Sequence, residues 1–155
     1  MKWIECLADL IFPRKCEICG RLLTGDERYI CEDCMEDMPL TYYWDWPENP
    51  AEKKLWVRTH LHRVIPLFFY TRESRSITLI HKIKYRGNIR LGHYMGSLLG
   101  EKIKRALPDV DYIVPVPLHP LRKWRRGYNQ AEVIARGVAE AMFGLSDASD
   151  RVLTD

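Results

Sequence analysis

The sequence predicts an α/β domain with a partly parallel sheet and flanking helices, preceded by a small four-cysteine module. Three observations lead there. Four of the five cysteines fall in two C-x-x-C pairs near the N-terminus. Two apolar stretches rich in β-branched and aromatic residues, 62–70 and 112–116, read as strands. Segments with helical apolar spacing alternate with them, the pattern of a parallel sheet covered by helices. The expected boundaries are 1–40 for an N-terminal helix and the cysteine module, 41–61 for a linker, and 62–155 for the α/β domain. At 155 residues the chain can hold one ordinary domain and a small appendage.

The first twelve residues, MKWIECLADLIF, predict a short amphipathic helix. Glu5 and Asp9 interrupt the apolar run and no small-residue cleavage site follows, so it does not read as a signal peptide. No apolar run reaches the ~18 residues that span a bilayer. The expected location is therefore cytoplasmic. Cys6, on the apolar face of this helix, reads as a small buried hydrophobe and not as a further metal ligand.

Cys16, Cys19, Cys31 and Cys34 form C-x2-C-x11-C-x2-C. Two such turns can bring four sulfurs to one tetrahedral Zn²⁺. Gly20 suits the tight turn of the first knuckle. Disulfides fit poorly in a chain without a signal peptide, and two matched pairs argue against a redox C-x-x-C. With four protein ligands the zinc has no open position and is structural. The module's acidic character speaks against DNA binding by the finger alone.

YYWDWPENP, after the module, reads as a linker or wrapping loop. HRVIPLFFY reads as a strand, with Pro66 placing it at an edge or a kink. Ile77, Leu79, Ile80 and Ile83 mark a helix ending before Gly87-Asn88. Leu91, Met95, Leu98, Leu99 and Ile103 mark a second, stopped by Leu107-Pro108-Asp109. Tyr112 to Val116 is expected to be a short buried strand. Asn129 to Phe143 is a third helix, with Ala131, Ile134, Val138, Ala141 and Met142 on one face. Asn129 should cap it, Glu132 at N3 should complete a box, and Gly144 should end it.

Between strand and third helix lies PVPLHPLRKWRRGYNQ. Ligands of open α/β sheets bind at such strand ends. Pro115, Pro117 and Pro120 stiffen the loop, so binding costs less ordering entropy. Arg122, Lys123, Arg125 and Arg126 can contact phosphate oxygens, and a helix N-terminus favours an anion. These parts describe a phosphate or pyrophosphate cradle. They equally describe a rigid exposed connection with a solvated basic patch. His119 can serve as an acid or base near neutral pH, but between prolines it reads rather as a loop-packing residue. Trp124 can stack on a base or pack the loop against the body. Net charge is +3, with the excess in the middle: residues 51–108 hold thirteen Lys/Arg against three Asp/Glu. That suits an anionic ligand, or a solvated face.

A four-cysteine finger, then KIKYRGN, then VPVPLHP, then RRGYNQAEVIARGVA, in that order, resembles the ComF family, the phosphoribosyltransferase-like proteins linked to DNA uptake in naturally competent bacteria. The resemblance runs from about Ile11 onward. It implies a type I phosphoribosyltransferase-like sheet, with binding or transfer of the phosphoribosyl group of phosphoribosyl pyrophosphate (PRPP), aided by Mg²⁺. It assigns Val116, Pro117, Leu118 and His119 to the pyrophosphate loop, Arg126, Gly127, Asn129 and Gln130 to an RGxNQ element, and Lys84, Tyr85, Arg86 and Gly87 to a KYRG element facing the same anion. The acidic strand end and Thr/Gly-rich phosphate loop of that fold are absent from these residues. The resemblance places them beyond the position matching Asp155, so the sheet is expected to be incomplete, catalysis is not expected from this chain alone, and exposed apolar faces should favour self-association. The competing expectation is a non-catalytic protein of the DNA-uptake machinery that binds single-stranded DNA or acts as an adaptor.

Overall fold

The computed structural model describes residues 13–70 and 74–154. The expected N-terminal helix and Cys6 lie outside them. Seven helices occur among the described residues: α1 (Glu32–Glu36), α2 (Pro50–Trp56), α3 (Ser76–Tyr85), α4 (Ile89–Ile103), α5 (Pro120–Arg126), α6 (Gln130–Phe143) and α7 (Ala148–Arg151).

The packed pair α4 and α6 forms the centre, and its spacing is set by glycine. A Cβ on Gly96 would lie 2.1 Å from the Ile134 carbonyl oxygen, and one on Gly137 would lie 2.1 Å from that of His93. Only glycine allows backbones this close. The most buried face of α6 is therefore its small residues, Ala135, Gly137, Val138 and Ala139, while the expected Ala131, Ile134, Ala141 and Met142 are half-buried. α3 and α4 have the expected spans. They bury Leu79, Ile83, Leu91 and Met95 in one cluster with Cys16, Leu23, Ile30, Cys31, Cys34 and Met38 of the cysteine module. The module and the helices thus share a core.

The expected linker is also packed, into a second buried cluster. Trp44 packs with Ile103 and Val138. Asn49 caps α2, accepting from the Ala51 and Glu52 amides, and Glu52 returns a bond to the Asn49 amide, a complete capping box with Pro50 at N1. Glu52 is fully buried and pairs with Arg63 at 2.9 Å.

The partly parallel sheet is not formed among the described residues. Three isolated bridges stand in its place: Lys15 with Leu22, Leu40 with Phe68, and, in parallel sense, Ile113 with Val152. Among the described residues, the backbone-to-backbone hydrogen bonds of 62–70 go to 39–41, and those of 112–116 go to Arg151 and Leu153. Pro66, Pro115 and Pro117 offer no amide hydrogen to extend either pairing. Nor is 112–116 buried: Tyr112, Val114 and Val116 are 55%, 68% and 75% exposed. The loop that follows is partly helical, because Pro120 begins α5. At α6, Asn129 caps by accepting the Ala131 amide, but Glu132 pairs with Arg136 at 2.8 Å, and no Glu132 bond closes a box among the described contacts. Gly144, at φ 90°, ends the helix. Among the described residues, no helix is long and apolar enough to cross a membrane.

Candidate metal centre and basic cleft

The metal centre follows from two turns. In the first, the Gly20 amide donates to the Cys16 carbonyl at 2.9 Å, with Gly20 at φ 77°. In the second, Cys31 stands at the start of α1 and Cys34 one turn inside it. The four Sγ atoms lie within 4.8 Å of one another, and those of Cys19 and Cys31 are 3.6 Å apart. Sulfurs about 2.3 Å from one tetrahedral zinc lie ~3.8 Å apart. The amides of Ile18 and Cys31 each donate to Cys16 Sγ at 3.4 Å. Burial raises the Cys16 thiol, but the amides of Cys19, Cys31 and Ile18 outweigh it and bring the thiol down to about 6. Burial and then the neighbouring thiols push Cys34 up to about 12. Without a cation, four thiolates cannot share this space. A divalent ion removes the conflict, so the donor set fits a closed structural Zn²⁺ site.

The cleft joins two distant motifs. Lys84, Tyr85 and Gly87, from the end of α3, face Arg122 and Arg126 of α5 across a cavity of about 280 Å³. Gly87, at φ 65°, turns the chain out of α3, and Asn88 restarts it by capping α4 through the Leu91 amide. The Tyr128 hydroxyl donates to the Ile83 carbonyl and joins the two walls. Arg126 lies over the Tyr85 ring at 5.8 Å and donates to Gln130 Oε1 at 3.0 Å. Gln130 Nε2, on the same amide, is buried and has no hydrogen-bond partner among the described atoms. Lys84, Arg122 and Arg126 form no ion pair with a carboxylate of the described residues. Among the described residues, the lining has no carboxylate. The cleft can hold a multiply charged anion through charge-assisted bonds.

The predicted phosphate residues do not all gather there. Lys84 and Arg126 line the cleft, and Gly127, at φ 80°, turns α5 into α6 beside it. Arg86 is exposed and does not line it. Pro117, Leu118 and Asn129 line a second cavity of about 260 Å³ with Pro115, Glu132 and Thr154. Asn129 Nδ2 donates to the Val116 carbonyl at 3.2 Å, tying the loop to α6. His119 Nδ1 accepts the Leu121 amide at 3.3 Å, so the imidazole caps α5. Trp124 is 83% exposed and does not pack the loop against the body. The side chains of Lys123 and Arg125 lie outside the described ones.

Arg122, one of the cations read as able to contact phosphate, is brought to the cleft by α5, whose Pro120 start is a readable helix signal. One contributor escaped sequence reading. Glu17, within the first knuckle, accepts from Lys82 Nζ at 2.7 Å and from Asn88 Nδ2 at 2.9 Å. Nothing in local sequence marks that contact.

Residues 7–43 match the double zinc ribbon domain family. The chain is 26% identical over 129 residues to "DNA utilization protein YhgH" of Salmonella typhi, covering 80% of this chain and 53% of that protein. It is 34% identical over 65 residues to "Competence protein F" of Haemophilus influenzae, covering 37% of this chain and 28% of that one. The chain thus spans about half the length of the DNA utilization protein it matches. No solved structure matches.

Proposed function

We propose that this chain, a ComF-family protein with an N-terminal zinc finger, binds a phosphorylated ligand in the basic cleft and serves DNA uptake. The observation that carries the reading is the cleft itself. Lys84, Tyr85 and Gly87 of KYRG and, distant in sequence, Arg122 and Arg126 of α5 supply its two walls, with three cations that have no carboxylate partner among the described residues. The unpartnered Gln130 Nε2 supplies a buried donor next to Arg126. By family resemblance the ligand is PRPP, whose pyrophosphate suits Lys84, Arg122 and Arg126. The loop of Val116, Pro117, Leu118 and His119, with Asn129, forms the neighbouring wall and not the anion contact. A Mg²⁺ ion would arrive on the ligand's phosphates, since the described residues of the cleft offer it no carboxylate. The zinc finger and 62–155 act as parts of one binding body, with 41–61 as the strap between them. The location proposed is cytoplasmic.

Calorimetry tests this with PRPP and with inorganic pyrophosphate, on this chain and on a form extended to the length of its relatives. Binding is expected, and Lys84→Ala or Arg126→Ala should each weaken it about tenfold or more. No binding by the extended form overturns the reading.

A second reading is favoured by a separate surface. Lys53, Lys54 and Arg58 are exposed around the partly exposed Trp56, and no ion pair holds them among the described residues. Cations interleaved with an aromatic ring suit single-stranded DNA. This reading expects affinity for an oligonucleotide that falls steeply with salt and drops in Trp56→Ala. Weak, salt-insensitive binding rules it out.

A further inference from the structure

Glu17 lies between the first two metal-ligating cysteines, yet its side chain bonds only outside the knuckle. Oε2 accepts from Lys82 Nζ at 2.7 Å, and Oε1 accepts from Asn88 Nδ2 at 2.9 Å. Its backbone carbonyl takes a second bond from Lys82 Nζ, also at 2.7 Å. Lys82 and Asn88 bracket residues 83–87, which include Lys84, Tyr85 and Gly87 of the cleft wall. The ion pair is partly shielded, with side chains 22% and 24% exposed. From the other side, Tyr128 holds the Ile83 carbonyl.

Glu17 is itself placed by the knuckle. Its amide donates to the Tyr29 carbonyl at 2.8 Å, and the next amide, of Ile18, donates to Cys16 Sγ at 3.4 Å. The turn it holds needs holding. Lys84, Arg122 and Arg126 carry like charge across the cleft and repel one another, and Gly87 gives the turn backbone freedom. A carboxylate fixed by the metal knuckle opposes that drift at both ends of the turn.

We propose that the metal knuckle is a positioning device for the basic cleft, with Glu17 holding the α3–α4 turn so that metal loading sets the cleft's affinity for phosphate-bearing ligands. Glu17 is a positioning residue and touches no ligand. The proposal rests on the cleft being the anion site, but its coupling step has a readout of its own.

The experiment measures amide hydrogen exchange over residues 83–88 and inorganic pyrophosphate affinity in the zinc-loaded chain, in Glu17→Ala, in Lys82→Met and in the double variant. Zinc stoichiometry should stay at the wild-type value in each, because the four cysteines are intact. Exchange at 83–88 should accelerate, and pyrophosphate affinity should fall at least about fivefold. The double variant should lose clearly less than the sum of the two single losses, since both remove the Lys82–Glu17 ion pair and each removes one further bond of its own. Zinc-loaded Glu17→Ala with wild-type exchange and affinity overturns the proposal, as do additive losses in the double variant. Should Glu17→Ala fail to fold, Lys82→Met breaks the same pair from the helix side and decides alone. If the wild type binds no pyrophosphate, the cleft reading fails, and the exchange arm still decides whether the knuckle holds the turn.

Discussion

Glu52 carries the segment between the metal ribbon and α3. Its carboxylate takes Arg63 Nε at 2.9 Å, the Val64 amide at 3.1 Å and the Asn49 amide at 3.2 Å, in a fully buried position. Burial alone would raise its pKa, but the Val64 amide, Arg63 and further backbone bonds outweigh it and hold the carboxyl below its ordinary value. The unfolded chain therefore binds the proton more readily. The stabilisation is complete above the unfolded carboxyl pKa of about 4.3 and is lost as pH falls toward the lower folded value. Glu52→Gln should flatten the fall of melting temperature with acid relative to the wild type. Glu52→Ala should cost about 2–4 kcal/mol in urea unfolding at neutral pH, because it leaves the largely shielded Arg63 without its carboxylate. Asn49-Pro50-x-Glu52 is a legible capping box, masked by the Trp/Pro/acid composition around it. His119 shows the reverse case. Its chemistry allows an acid or base, its setting between prolines reads as loop packing, and its Nδ1 accepts the Leu121 amide and caps α5.

At the scale of elements, apolar periodicity located α3, α4 and α6, because a helix must bury one face whatever its neighbours are. It did not show how closely α4 and α6 approach. Gly92, Gly96 and Gly100 repeat every four residues and put a groove on one side of α4. Their substitution by alanine should give opposite signs. Alanine gains about 1 kcal/mol of helix propensity at each. At Gly96 the new Cβ meets the Ile134 carbonyl at 2.1 Å, backbone that cannot yield, so the net change should be a loss of about 1–3 kcal/mol. At Gly92 the nearest atom is Val133 Cγ1 at 3.2 Å, a side chain that can shift, so alanine should be neutral or stabilising. Thermal denaturation of the two variants checks the contrast. The expected strands were harder. β-Branched composition marks a segment fit for a sheet, but a strand exists only with a neighbour, and 112–116 finds one bridge, to Val152.

Across the whole molecule, three of the four thiols, those of Cys16, Cys31 and Cys34, belong to the same buried cluster as α3 and α4. Chelating the metal should therefore loosen more than the ribbon. Losing several kcal/mol of binding energy would lower the melting temperature of a domain this size by about 10 °C or more, and Cys31→Ser should do the same without chelator. Circular dichroism melts with matched zinc analysis check both. Exposed Tyr112, Val114 and Val116 meet the expectation of uncovered apolar surface. Sedimentation should show concentration-dependent association, reduced in Val116→Lys; a monomer at all concentrations counts against it. The sequence by itself determined the four metal ligands, the three long helices and the basic character of the loop, because ligand spacing, amphipathic period and charge are local properties of a chain. Tertiary structure alone decided the rest. It set Arg122 and Arg126 opposite Lys84, made the linker part of the core, split the predicted phosphate residues between two cavities, and joined Glu17 to the turn it holds. Those outcomes depend on which surfaces meet, and that is fixed by packing between segments far apart in the chain.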